Sequence, residues 1–232
     1  MTKKQSLISY ILLLIFILCF LIFSPVQSQT PKIGITLTWS TDTYVPLNYP
    51  GKALPSRGNI IEVAANIDSK GINPQELNYR WFLNDHAQRE KSGLSRQTFN
   101  FPAKWTSGNE YFIRIEIRNR SEELLGSASQ VIKIVQPEIV LEAKEYQIPA
   151  NQEAKFTAQP YFFNIKSPDE LDYKWRLGGK TASQTGNKSP NIFILKVGQI
   201  AQSVKQDLVV WAKNKNNPLQ RAQTEAEITL IP

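Results

Sequence analysis

Apolar and polar residues alternate along most of this chain. In the cleanest run, Tyr111, Ile113, Ile115 and Ile117 share one parity, and Phe112, Arg114, Glu116 and Arg118 take the other before Asn119. Period two marks a β-strand with one face buried. A second run, Leu77, Tyr79, Trp81 and Leu83, alternates with Asn78, Arg80 and Phe82. Its spelling, Pro-x-Glu-Leu-x-Tyr-x-Trp-x-Leu over Pro74 to Leu83, returns at Pro168 to Leu177. Tyr79 and Tyr173, and Trp81 and Trp175, are each 94 positions apart. A constant offset is a register, so the chain reads as two copies of one β-domain, with Tyr79, Trp81, Tyr173 and Trp175 as core anchors.

Weaker runs complete each copy. Ile33, Ile35, Leu37 and Trp39 after Pro31 are answered by Ile139 and Leu141 after Pro137, and Ile61, Val63, Ala65 and Ile67 by Ala154, Phe156 and Ala158. Thr98 to Phe101 is matched by Asn191 to Val197, and Tyr111 to Asn119 by Leu208 to Asn214. Ile132 and Ile134 close the first copy, and Ile228 and Leu230 the second. Asp85, His86 and Gly93 mark turns in one copy; Gly178, Gly179 and Gly186 do so in the other. No long stretch has helical periodicity. Six or seven short strands per hundred residues, with turn signals between them, predict an all-β chain of two tandem sandwiches. Their expected bounds are 30–136 and 137–232.

Pro31 and Pro137 are 106 positions apart rather than 94, so the first copy carries about a dozen extra residues. These fall in Thr41 to Arg57, where Tyr44, Pro46, Tyr49, Pro50, Gly51 and Pro55 give a loop composition. No Gly/Ser linker separates the copies, so this stiff, partly apolar loop is expected to pack at their junction and restrain the hinge. The alternative is a free ligand-binding loop.

The arrangement resembles the PKD domain, a member of the immunoglobulin-like superfold. Tyr79-Arg80-Trp81 and Tyr111 to Asn119 carry the likeness in the first copy, and Tyr173-Lys174-Trp175 and Leu208 to Asn214 in the second. The Gly-Asp-Gly turn of that family is replaced by Asn84-Asp85 and Gly178-Gly179. The resemblance implies two immunoglobulin-like β-sandwiches acting as an extracellular spacer or adhesion module.

The N-terminus opens Met1-Thr2-Lys3-Lys4, continues as a 17-residue apolar run from Leu7 to Phe23, and leaves through Ser24 to Gln29. This pattern predicts an export signal over 1–28, cut before Gln29, with an uncleaved hydrophobic anchor helix as the alternative. Residues 30–232 are then expected outside the cytoplasm, secreted or held at the cytoplasmic membrane. Cys19 is the single cysteine and lies inside the apolar run, so the exported part has no thiol for a disulfide, a metal or a nucleophile. An exported small domain without a disulfide points to a bacterial envelope. The whole chain carries +7, and +5 without Lys3 and Lys4. That balance suits anionic surface polymers or lipid head groups.

Candidate chemistry is sparse. His86 is the one histidine, beside Asp85 in a turn, so no triad can be assembled and no enzyme is expected. Asp169, Glu170 and Asp172 could offer oxygen ligands to Ca²⁺, against a simpler reading as a solvated acidic turn. No cofactor or required metal is expected. The third and penultimate strands of such a sandwich are neighbours, so their outward residues share a face: Arg80, Arg114 and Arg118 in the first copy, and Lys174, Arg176 and Lys213 in the second. Trp211 aligns with Glu116 and is predicted to point outward, where an indole often marks an interface; a one-residue slip would return it to the core. The expected partner is another envelope or surface protein or an anionic polymer, with the membrane engaged through an uncleaved N-terminal segment and no nucleic acid. The alternative function is a carbohydrate-binding accessory module for wall or surface polymers.

Overall fold

The computed structural model describes residues 33–68, 71–104, 108–182 and 189–232. The expected export segment and anchor helix, and Gly186, lie outside them. The first half contains β1 (Gly34–Thr41), β2 (Ile60–Asp68), β3 (Asn78–Leu83), β4 (His86–Ala87), β5 (Gly93–Leu94), β6 (Thr98–Pro102), β7 (Glu110–Arg118) and β8 (Leu124–Lys133). The second contains β9 (Glu138–Ala143), β10 (Gln147–Pro149), β11 (Glu153–Tyr161), β12 (Leu171–Leu177), β13 (Lys180–Ala182), β14 (Ile192–Lys196), β15 (Val204–Asn214) and β16 (Arg221–Ile231).

Each half is a pair of sheets. In the first, β1-β2-β6 faces β4-β3-β7-β8, with β5 also paired to β3. In the second, β9-β11-β14 faces β10-β16-β15-β12-β13. Three strands against four or five, with the first strand beside the second and the third beside the penultimate, is the immunoglobulin-like order. One hydrophobic core ends at Ile134 and the other begins at Ile139. Tyr44, from the long loop of the first half, packs against the second core.

The 94-residue register is a packing register. Trp81 is fully buried, stacks on Phe99 at 5.5 Å and donates its indole N–H to the Arg96 carbonyl at 2.8 Å. Trp175 stacks on Phe193 at 5.2 Å and donates to the Pro190 carbonyl at 3.2 Å. Every one of these partners is displaced by the same 94 positions. Both indoles thus bury their rings and satisfy their one donor.

The Pro-x-Glu-Leu spelling also has a local cause. Pro74–Glu76 and Pro168–Glu170 are single 3-10 turns opened by Asn73 and Ser167, whose side chains accept from Gln75 N and Asp169 N. Proline suits the first helical position because its missing N–H is one the turn would leave unpaired. Glu170 completes a capping box with Ser167. Leu77 and Leu171 then plug the core as the chain enters β3 and β12.

Asn84 and Asp85 both take positive φ (48° and 63°), as do Gly178 and Gly179 (53° and 80°). They close two-residue hairpins in which Leu83 pairs with His86 and Leu177 with Lys180. Left-handed conformation at both central positions is what a tight hairpin requires, and Asn-Asp and Gly-Gly both tolerate it.

The two halves differ where the chain crosses from one sheet to the other. In the second, three residues (144–146) carry it from β9 to β10, which runs parallel to β16. In the first, residues 42–55 intervene before Ser56 makes the equivalent parallel bridge to Val135. The extra residues of the first copy lie in this crossover.

Candidate functional site

The outward face of the first sandwich is a set of closed ion pairs. Register sets Arg80 across from Glu116, and Phe82 across from Arg114. Glu116 accepts from Arg114 at 2.5 Å and from Arg118 at 3.2 Å. Arg80 pairs with Glu122, and Arg118 also donates to the Glu122 carbonyl at 2.8 Å. Burial alone would push the Glu116 carboxyl up. The two guanidiniums more than reverse this and hold it below the usual range. Arg114 further covers the Phe82 ring at 3.8 Å. The three arginines do share a face, as their parity predicts, but two glutamates neutralise much of it. Glu122 escapes a parity argument because it sits in the β7–β8 turn at φ 63°.

The same face of the second sandwich is built differently. Lys174 pairs with Trp211, and Trp211 with Gln223; one rung away, Asp172 pairs with Lys213, and Lys213 with Arg221. This rung of Lys174 and Trp211 is the counterpart of Arg80 and Glu116, so an indole stands where the first copy has its neutralising carboxylate. Trp211 is outward and half-buried, while its neighbour Val209 on the same parity is covered to 2% exposure. Arg176 lies over the Trp211 ring at 5.0 Å. Lys174, Lys213 and Arg221 are exposed and make no ion pair among the described residues. A groove of about 920 Å³ opens here, lined by Lys174, Trp211, Lys213, Arg221 and Gln223, with Asp172 as its one carboxylate. Sequence reasoning missed Arg221 and Gln223, which follow only from the β15–β16 register.

The core anchors are not equal. Tyr79 is fully buried, donates its hydroxyl to the Pro74 carbonyl at 3.0 Å and accepts from Gln97 at 3.1 Å. Tyr173 is half-buried and its hydroxyl has no hydrogen-bond partner among the described residues. Its position corresponds to Tyr79, but Asn191, the counterpart of Gln97, is one methylene shorter. Burial first, then the neighbouring Tyr44 and Asp169, push its pKa well above the ordinary tyrosine value.

The acidic turn uses its groups as caps. Glu170 accepts from Lys166 N at 2.8 Å and Ser167 N at 3.2 Å, and the Asp169 carbonyl accepts from Lys215. Among the described residues no group of three or more His, Cys, Asp or Glu could hold a metal ion. His86 is exposed at the start of β4.

The third region is the junction. The backbone of Tyr44 donates to the Phe163 carbonyl at 2.8 Å and accepts from Phe162 N at 2.7 Å, so two backbone hydrogen bonds tie the long loop to the chain just after β11. Tyr49 packs edge-on against Tyr161 and Phe162, with ring centres 5.6 and 6.0 Å apart. Gln220, fully buried, donates to Ser56 Oγ at 3.0 Å and to the Arg57 carbonyl at 2.9 Å. Its Oε1 accepts from Asn164 N at 2.8 Å and Asn214 Nδ2 at 3.0 Å. Ser56 in turn donates to Asn59, Asn59 to Asp42, and Asn164 to the Gly58 carbonyl. The buried polar side chains among the described residues are Thr43, Ser56, Asn59, Asn214 and Gln220. All belong to the crossover loop, the turn after it, or the end of β15 and the β15–β16 turn that meet them.

No family model matches the chain, and no curated protein matches it. Among solved structures, it is similar to the three N-terminal domains of the bacteriophage RB49 highly immunogenic outer capsid protein at 15% identity and a TM-score of 0.45, covering 85% of this chain and 59% of that one. The chain thus spans about six tenths of that structure's length. Fibronectin(III)-like modules of Clostridium thermocellum CbhA are similar at 13% identity and a TM-score of 0.29, over 85% of this chain and 93% of that one. The ectodomain of mouse nectin-like molecule 4 is similar at 11% identity and a TM-score of 0.35, over 87% and 65%. Strand order and register, described above, are what make both halves immunoglobulin-like.

Proposed function

We propose that this chain is a non-enzymatic, extracytoplasmic spacer and binding module of the cell envelope, made of two immunoglobulin-like sandwiches of PKD type. The observation that carries the reading is the junction. A flexible tether would leave loop and turn polar groups in water, whereas here five polar side chains are buried and bonded across or beside the boundary. Such a seam resists bending because any hinge motion leaves buried donors and acceptors unpaired. A restrained pair holds whatever binds the second sandwich at a set position from the first. The apolar run and the lysines before it support export, with the segment cleaved or kept as an anchor. Among the described residues no helix is long and apolar enough to cross a membrane. The partner is another surface protein or an anionic polymer.

The test replaces residues 42–55 with the three residues 144–146 of the second copy and compares small-angle scattering profiles. The interdomain distance distribution is expected to broaden. Substituting Gln220→Leu, which leaves the loop in place, is expected to broaden it as well. An unchanged distribution in both variants overturns the reading.

One observation favours a second reading, a carbohydrate-binding accessory module for wall or surface polymers: the half-buried Trp211 in the groove.

A further inference from the structure

We infer that the groove over β12, β15 and β16 binds an acidic polysaccharide, a chain of sugars bearing carboxylate or phosphate groups, with Trp211 as the stacking platform and Lys174, Lys213 and Arg221 as the anion contacts. This rests on the carbohydrate-binding reading and assigns it a site and a ligand class.

Three observations converge on this face. The first is charge. Lys174, Lys213 and Arg221 occupy adjacent positions on three neighbouring strands and are exposed, and Asp172 is the one acid among them. On the equivalent face of the first sandwich the arginines are already held by Glu116 and Glu122. Cations without a partner on the protein gain most from an incoming anion.

The second is the indole. The groove lies over the two rungs of Lys174 and Lys213, while Arg176 is on the next rung the other way. The guanidinium therefore supports the ring from the side away from the groove, and the groove side of Trp211 remains for a ligand. An aromatic ring gives a flat apolar platform suited to the C–H face of a sugar, and the adjacent guanidinium fixes its tilt.

The third is the mix of polar groups. Gln223 can donate and accept, and the Asp172 carboxylate can only accept. A carboxylate acceptor fits hydroxyl donors, which a sugar chain supplies at every residue. It repels a DNA backbone or a run of acidic peptide side chains, neither of which offers a compensating set of hydroxyls. An acidic sugar chain is the ligand that uses the cations, the indole and the carboxylate together.

Affinity electrophoresis of the full-length chain tests this, with gels containing polygalacturonate, a phosphomannan, neutral dextran, polyglutamate or single-stranded DNA. Retardation is expected in polygalacturonate or phosphomannan, and which of the two is stronger identifies the anion. Trp211→Ala and Lys213→Glu should each weaken it by about tenfold or more, while Arg80→Glu on the first sandwich should leave it unchanged. Lys213 is exposed, so its variant carries the test if Trp211→Ala folds poorly. Equal retardation in dextran would leave the carbohydrate reading standing and overturn the acidic ligand. No retardation by any sugar polymer would overturn both. Retardation by polyglutamate or DNA as strong as by the acidic polysaccharides, or insensitivity to Lys213→Glu, would overturn the site as drawn.

Discussion

Replacing Gln220 with leucine keeps the volume and removes both ends of a buried amide that makes four hydrogen bonds, two of them buried and two partly buried. Not all four losses are equal. Ser56 Oγ still donates to Asn59, and Asn214 Nδ2 still donates to the Asn164 carbonyl at 3.0 Å. Asn164 N loses its partner inside the seam, and an orphaned donor there costs about 1–3 kcal/mol. The expected loss is therefore roughly 1–3 kcal/mol, slightly offset by the greater apolarity of leucine. At about 2–4 °C per kcal/mol for a chain of this size, calorimetry should show melting lowered by roughly 2–12 °C. If the halves unfold separately, the second should carry the larger part, because Gln220 belongs to its β15–β16 turn. A Gln220→Leu protein that melts within about a degree of wild type would refute the claim that the seam is dry and bonded, since water would then be replacing the amide.

Three further outcomes follow from the same geometry. Trp81→Ala and Trp175→Ala should each cost roughly 3–5 kcal/mol in denaturant titrations, the loss for a buried indole, with the half bearing the mutation unfolding first. Because the Glu116 carboxyl is held below its usual range, its contribution is present above the unfolded-state pKa and is lost as pH falls through the lower folded value. Melting of Glu116→Gln should therefore be lower than wild type at neutral pH and converge with it in acid; parallel curves would sink the triad. Phe193→Ala should weaken the second half in the same assay as Trp175→Ala, and the double mutant should fall short of additivity because the rings share one contact.

The interior of both sandwiches was legible because a packed core leaves little choice. Trp81 and Trp175 each need a ring partner and a carbonyl acceptor, so Phe99 and Phe193, Arg96 and Pro190 recur at one offset. The strands that escaped notice are the shortest: β4, β5, β10 and β13 have two or three residues each, too few for a period to show. The extra residues of 42–55 could be counted from the change of offset. What they hold together could not, because Ser56, Asn59, Asn164, Asn214 and Gln220 are ordinary turn residues one at a time. Their chemistry arises only when two turns and a crossover converge.

The outward faces follow the opposite logic. A strand position facing water keeps its parity but not its residue, since charge, amide and aromatic side chains are all tolerated on a solvated sheet. Parity therefore predicted that Arg80, Arg114, Arg118, Lys174, Arg176 and Lys213 point outward, and it said nothing of which would meet an acid. The answer lies in one rung. With Glu116 opposite Arg80, the first face closes on itself. With Trp211 opposite Lys174, the second keeps its cations exposed and gains a platform, and the Asn119 and Asn214 alignment is what puts the indole there. A one-residue slip would have buried Trp211 and turned Val210 outward, yet Val210 is fully buried and pairs with Trp175. The two copies thus share a core, while their outward faces part at this rung, with Glu116 in one and Trp211 in the other.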